Sequence, residues 1–230
     1  MMEKAELVFV PSPAIGHVVA SIEIAKLLTR QDDRISVTVL IMNLEASSSA
    51  NFFADLVRAH ALLVRDAVAK RQNSGSVRLA GLVIDMFCTP MIHVANEFGL
   101  PSYIYFTSSS AFLGFLLHLQ SLHDDESVDV AEFKGSDADQ LEEVPSFVNS
   151  VPAGVFPSVV LDKESGRTDV FLYHVRRFIQ VKGIVVNTFM ELESRAVNSF
   201  CSVAVPLVCP VGPILNAQFG SGGVNKMLML

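Results

Sequence analysis

The stretch "LAGLVIDMFCTPMIHVANEFGLPSYIYF" (residues 79–106) decides the reading of this chain. Its opening, "LAGLVID", is a short apolar run closed by a carboxylate, which suits a strand buried on both faces. "PMIHVANEF" (90–98) follows as a helix, with Pro90 suited to its first turn and Gly99 to its stop. "SYIYF" (102–106) is a second strand. A strand, a helix and a strand on short loops make a βαβ unit, with parallel strands and a right-handed crossover.

The alternation extends in both directions. Upstream, "LVFV" (7–10) and "SVTVLIM" (36–42) are strands. Between them Glu23, Lys26 and Arg30 recur at helical spacing opposite Val19, Ile22, Ile24, Leu27 and Leu28, so residues 18–30 form a helix. A Ser-rich connector leads to a helix over 52–71. Downstream, "SSSAFLGFLLHLQSLH" (108–123) is a helix opened by a serine cap. An acidic, loop-like region runs from Asp124 to about Ser158. A helix near 169–180, the strand "GIVVN" (183–187) and a short helix from about 189 complete the pattern. The fold class is α/β, with a Rossmann-like, doubly wound parallel sheet.

Composition agrees and narrows the function. Of 230 residues, 50% are hydrophobic and 18% charged, and the mean hydropathy is +0.43, as expected for strands covered on both sides. The net charge is 17 − 24 = −7 without a Lys/Arg cluster, which argues against nucleic acid or anionic membranes as partners. The longest apolar helical run, "AFLGFLLHLQSL" (111–122), is too short to span a bilayer and is broken by His118. The apolar run at the N-terminus is too short for a signal peptide and ends in prolines. Cys88, Cys201 and Cys209 lack motif spacing and no Asn-x-Ser/Thr sequon occurs, so a reduced, cytoplasmic location is expected.

In open parallel sheets ligands bind outside the carboxyl ends of the strands. After the first strand stand a Pro-rich loop and His17. After the third stands Asp85, the only charged residue between Arg78 and Glu97. After the fourth come Thr107, Ser108, Ser109 and Ser110, and the fifth ends in Asn187 and Thr188. A neutral imidazole held by a carboxylate is a general base for a hydroxyl. The positive end of the helix beginning near Val18 works against the imidazolium, so the two influences oppose each other on His17. Spacing alone equally allows a loop histidine and a turn-forming aspartate.

Other chemistries find less support. Neither G-x-G-x-x-G nor G-x-x-x-x-G-K-[ST] occurs, and there is no G-x-S-x-G elbow. His118 and His123 are five apart, wrong for a helical zinc pair, and "HDDE" (123–126) reads as a solvated loop, so no metal site is expected. Cys88 reads as a core thiol. The Phe and Leu residues at 112, 113, 115, 116 and 117 suit core packing better than a ligand pocket. His60, His93 and His174 belong to no constellation.

Four blocks carry a family resemblance: "VFVPSPAIGHVVASIEIAKLL", the long block from "LAGLVID" through "FLLHLQ", "GIVVNTFMELESRAV" and "VPLVCPVGPIL". Over most of residues 5–215 the chain resembles the N-terminal half of plant family 1 UDP-glycosyltransferases, within the group that glucosylates flavonoids and other small phenolics. The resemblance implies a GT-B fold, in which an N-terminal domain binds the acceptor and a C-terminal domain binds most of the UDP-sugar. It places the catalytic base on His17, its supporting carboxylate on Asp85 and the hydroxyl that touches the donor sugar on Thr107. It implies inverting transfer of a hexose, glucose in the first instance, with UDP-glucose as co-substrate and no further cofactor. A non-catalytic module binding a small phenolic or a partner chain is the alternative.

The chain departs from that family at three places. Ala14 stands where glycine is usual, which matters only if the backbone there needs positive φ. "LEASSSAN" (44–51) replaces a longer segment that includes a strand, leaving the sheet expected one strand short or the pocket open. The chain has no tryptophan, with which the family's donor-binding signature begins. The expected layout is an acceptor-binding domain over 1–215, the start of an interdomain linker or tail over 216–230, and no C-terminal donor-binding domain. A cleft face left uncovered would favour association.

Overall fold

A computed structural model describes residues 4–43, 52–74, 77–133, 140–202, 204–214 and 226–230. In chain order the elements are β1 (Ala5–Val10), α1 (Ile15–Gln31), β2 (Ile35–Ile41), α2 (Phe52–Ser74), β3 (Arg78–Asp85), α3 (Met91–Glu97), β4 (Ser102–Phe106) and α4 (Ser110–Asp125). They continue with β5 (Leu141–Glu142), β6 (Val151–Pro152), α5 (Arg167–Arg176), β7 (Gly183–Val186), α6 (Met190–Ser199), β8 (Leu207–Pro210) and β9 (Lys226–Met229). Seven strands form one sheet in the order β8-β7-β4-β3-β1-β2-β9, all parallel. β5 and β6 form a separate antiparallel pair.

From β1 to β8 this order contains one reversal. The chain leaves β1 toward β2, then returns past β1 to β3 and continues outward to β4, β7 and β8. With right-handed crossovers, the reversal puts the first helix on one face and the later ones on the other. The two cores follow that division. Val8, Val10, Leu82, Ile84, Ile104, Phe106, Ile184 and Val186 point into the larger cluster, with buried residues of α2 through α5. Their neighbours Phe9, Val37, Val39, Val83 and Tyr105 point the other way, against Ile24 and Ala25 of α1. Beside α1 a cavity of about 460 Å³ stays open on this thinner face, lined by Leu7, Leu28, Tyr103, Val185 and Ile214 among others.

At the amino end of the sheet a polar network is buried. Glu6 accepts from the Thr38 hydroxyl at 2.6 Å and from Arg71 Nε at 3.1 Å. It ties β1, β2 and the end of α2 together.

The helices and strands of the βαβ unit lie where the residue pattern puts them. Ser109 caps α4 by accepting from Phe112 N–H, and Gly99 adopts φ +65° after α3. The helix expected over 169–180 ends at Arg176, and residues 178–180 turn as a 3₁₀ helix. The acidic region read as loop contains the β5–β6 pair. In the large sheet two further strands, β8 and β9, escape the residue pattern. β9 lies within the stretch read as linker or tail, yet it pairs in parallel with β2 and gives the sheet its seventh strand. The "LEASSSAN" connector lies outside the described residues.

Candidate active site

The site grows from the reversal. β1 and β3 are neighbours whose following helices depart to opposite faces, so their carboxyl ends open a crevice. His17 stands in the first turn of α1, where its N–H donates to the Ala14 carbonyl at 3.0 Å. Ala14 has φ −69° and ψ 134°, ordinary extended backbone, so alanine meets no strain there. Asp85 is the last residue of β3.

The two side chains meet. Asp85 Oδ2 lies 2.6 Å from His17 Nδ1, and Asp85 Oδ1 accepts from Phe87 N–H at 3.0 Å. The carboxylate side chain is 1% exposed and the imidazole 25% exposed. Thr107, just past β4, brings its Oγ1 within 3.2 Å of the same Nδ1. The three residues singled out from the sequence are therefore together.

The carboxylate draws the ring proton to Nδ1, which leaves Nε2 as the lone-pair nitrogen. Among the described residues Nε2 has no hydrogen-bond partner. The hydrogen bond to Asp85 raises the His17 pKa above its ordinary value; burial pulls it down, and the negative charge of Asp85 adds to the rise. The carboxylate outweighs the opposing influences.

The remaining strand-end hydroxyls and amide serve other ends. Glu193 at α6 accepts from Ser110 and Ala111 N–H at 2.9 and 3.0 Å, so the first turn of α4 is held by a carboxylate as well as by Ser109. The Asn187 side chain both donates to and accepts from the Ile214 backbone. Thr188 is buried.

Three contributors, Phe87, His174 and Glu193, were not picked out from the residue pattern. Phe87 packs its ring 6.1 Å from the His17 ring, with Phe171 and His174 on its other sides at 5.4 and 5.7 Å. Its place two residues after Asp85 was the available signal. His174 is buried, with Nδ1 2.7 Å from Thr89 Oγ1, and burial lowers its pKa to about 4. Glu193 had no signal, because its partners are backbone groups far away in sequence.

The other candidates stay outside the crevice. His123 contacts Asp124 on the surface, His60 bonds the Leu56 carbonyl, and His93 is exposed. Burial pushes the Cys88 thiol well up, as for an inert core thiol. Among the described residues, no helix is long and apolar enough to cross a membrane, and no group of three or more His, Cys, Asp or Glu could hold a metal ion.

Comparison with known proteins gives this architecture its class. No protein-family model matches the chain. It is 44% identical over 264 residues to a putative UDP-glucose flavonoid 3-O-glucosyltransferase 3 of Fragaria ananassa, covering 98% of this chain and 54% of that protein. The crystal structure of a UGT transferase from Siraitia grosvenorii in complex with UDP superposes with a TM-score of 0.84 at 37% identity, over 95% of this chain and 53% of that one. That of Medicago truncatula UGT71G1 complexed with UDP-glucose gives 0.79 at 29% identity, over 95% and 54%. The fold is thus the Rossmann-like half of a GT-B glycosyltransferase. Sequence and fold place the chain with the plant UDP-glycosyltransferases, and it spans about half the length of the relatives it matches. The match to the strawberry protein runs longer than the chain itself, so that relative carries internal residues with no counterpart here.

Proposed function

We propose that this chain is the acceptor-side half of a UDP-dependent glucosyltransferase acting on hydroxyls of small phenolics such as flavonoids. The observation that carries the proposal is the 2.6 Å contact between His17 and Asp85 at the sheet reversal, which leaves Nε2 as the base. His17 Nε2 takes the proton of the acceptor hydroxyl as its oxygen bonds to the anomeric carbon. The bond from that carbon to the UDP oxygen breaks, and UDP leaves with the electron pair. Attack opposite the leaving group inverts the anomeric centre. Asp85 stabilises the imidazolium that forms and holds the ring in place. Thr107, beside the imidazole, is proposed to meet the donor sugar. Most contacts to UDP are assigned to residues outside these 230, in keeping with the half-length match.

The names of the relatives support the reaction class, and the buried carboxylate beneath a partly open imidazole supports the mechanism. A cytoplasmic location fits the three free cysteines. The alternative reading of the same crevice is a phenolic-binding module without turnover. Mass spectrometry of reactions containing the chain, UDP-glucose and a panel of flavonols and simple phenols separates the two. Glucoside formed by the chain and lost in His17→Ala supports the enzyme. Saturable phenolic binding without glucoside supports the module.

A further inference from the structure

We propose that His174 sets acceptor specificity: its Nε2 hydrogen-bonds a second hydroxyl at the far end of the phenolic whose first hydroxyl meets His17. This rests on the crevice being an acceptor site, as proposed for His17 and Asp85. His174, on α5, is 3% exposed and lines a cavity of about 230 Å³ between α2 and α5. Its Nδ1 is engaged, 2.7 Å from Thr89 Oγ1, while Nε2 has no hydrogen-bond partner among the described residues. Val57 and Val170 give the cavity apolar walls and Tyr173 an aromatic one. A buried polar nitrogen without a partner costs free energy until something meets it. No step assigned to His17, Asp85 or Thr107 uses it. The cavity is smaller than a typical small-molecule site, so it suits one end of a ligand rather than the whole.

The neighbours decide the chemistry of that end. Burial lowers the His174 pKa to about 4, so the ring is neutral near pH 7 and attracts no anion. Arg58 and Asp169 at the cavity are exposed and opposite in charge, so neither sign is favoured. A hydroxyl suits the ring in either tautomer. It donates to Nε2 when Nδ1 carries the proton, and accepts from Nε2–H when the Thr89 hydroxyl donates to Nδ1. A carbonyl matches only the second arrangement. The two imidazoles also flank one ring. Phe87 lies 6.1 Å from His17 and 5.7 Å from His174, centroid to centroid, so the imidazole centroids are at most about 12 Å apart. Phe171, 5.4 Å from Phe87, widens this apolar stretch, against which an aromatic skeleton packs. A phenolic of two or three rings with a hydroxyl at each end reaches both nitrogens; a single ring reaches one.

The test is calorimetric titration of 3-hydroxyflavone and its 4′-hydroxy derivative, which differ only in the far hydroxyl, into the unaltered chain, His174→Phe and His174→Gln. We expect the derivative to bind the unaltered chain about tenfold more tightly. His174→Phe should bring the two affinities together, with that for 3-hydroxyflavone little changed. His174→Gln keeps a polar group at the cavity and should retain part of the difference. Equal affinities in the unaltered chain overturn the proposal, as does a preference that persists in His174→Phe. Failure of both flavones to bind overturns it too. Glucoside assays decide the transfer reading separately. A chain that makes no glucoside but keeps the preference loses that reading alone, whereas glucoside formed with equal affinities removes only the role given to His174.

Discussion

His17 Nδ1 lies 2.6 Å from Asp85 Oδ2, across the junction of two strands whose helices leave to opposite faces of the sheet. Position 17 and position 85 meet because the chain reverses direction in the sheet between β1 and β3. As a base, His17 is active when neutral, and Asp85 raises its pKa. Glucosyl transfer should therefore rise with pH through a midpoint above 6.5. His17→Ala should lower kcat by about 10²–10⁴-fold. Asp85→Asn should lower it too, and should move the midpoint toward or below 6.5. A pH–rate series on the three proteins checks both points.

His17 and His174 pull stability in opposite directions with pH. His17 has a raised pKa, so its contribution is complete below 6.5 and is lost as pH rises through the folded value. His174 is buried with a pKa lowered to about 4, so the unfolded chain binds the proton first. Stability should then fall as pH drops from about 6.5 toward 4, by roughly 3 kcal/mol over that window. Denaturant unfolding of His174→Gln should show a flatter acid limb than the unaltered chain. His17→Gln should lose stability at pH 5.5 and change little at pH 9.

The Glu6–Arg71 pair is nearly excluded from water, with side chains 8% and 13% exposed. Removing one partner leaves a buried charge and a Thr38 hydroxyl that has lost a neighbour. Arg71→Met should cost about 3–5 kcal/mol in chemical denaturation. The double change with Glu6→Gln should recover most of it. A loss in the double variant equal to the sum of the two single losses would show that the pair is not energetically coupled.

Gly114 sits in the middle of α4, where alanine ordinarily stabilises a helix by about 0.5–1 kcal/mol. Here an added Cβ would overlap the Cβ and Oγ of Ser146, whose hydroxyl donates to the Ala111 carbonyl. Gly114→Ala should instead destabilise by about 1–3 kcal/mol. A thermal melt gives the sign directly.

What the sequence discloses here follows from how local each signal is. β3, α3 and β4 are legible because their apolar runs, Pro90 and Gly99 all act within a few residues. His17, Asp85 and Thr107 are legible because strand ends in a parallel sheet share an edge, so position along the chain maps onto position in space. Glu193 is not, because it acts on the backbone of Ser110 and Ala111, and backbone amides leave no mark in the sequence. β9 is not, because four residues without alternation become a strand only when β2 offers an edge. The strand order is equally hidden, and with right-handed crossovers it leaves α1, among the helices of the described residues, alone on its face of the sheet.

The most direct test of the account is a proton NMR titration of the six histidines, with assignments from His→Gln variants, in the chain and in Asp85→Asn, with and without a flavonol. The account predicts a His17 pKa above 6.5 that drops when Asp85 loses its charge, and a flavonol that perturbs the His17 resonance more than that of any other histidine. A His17 that titrates at its ordinary value in both proteins and ignores the flavonol would contradict it.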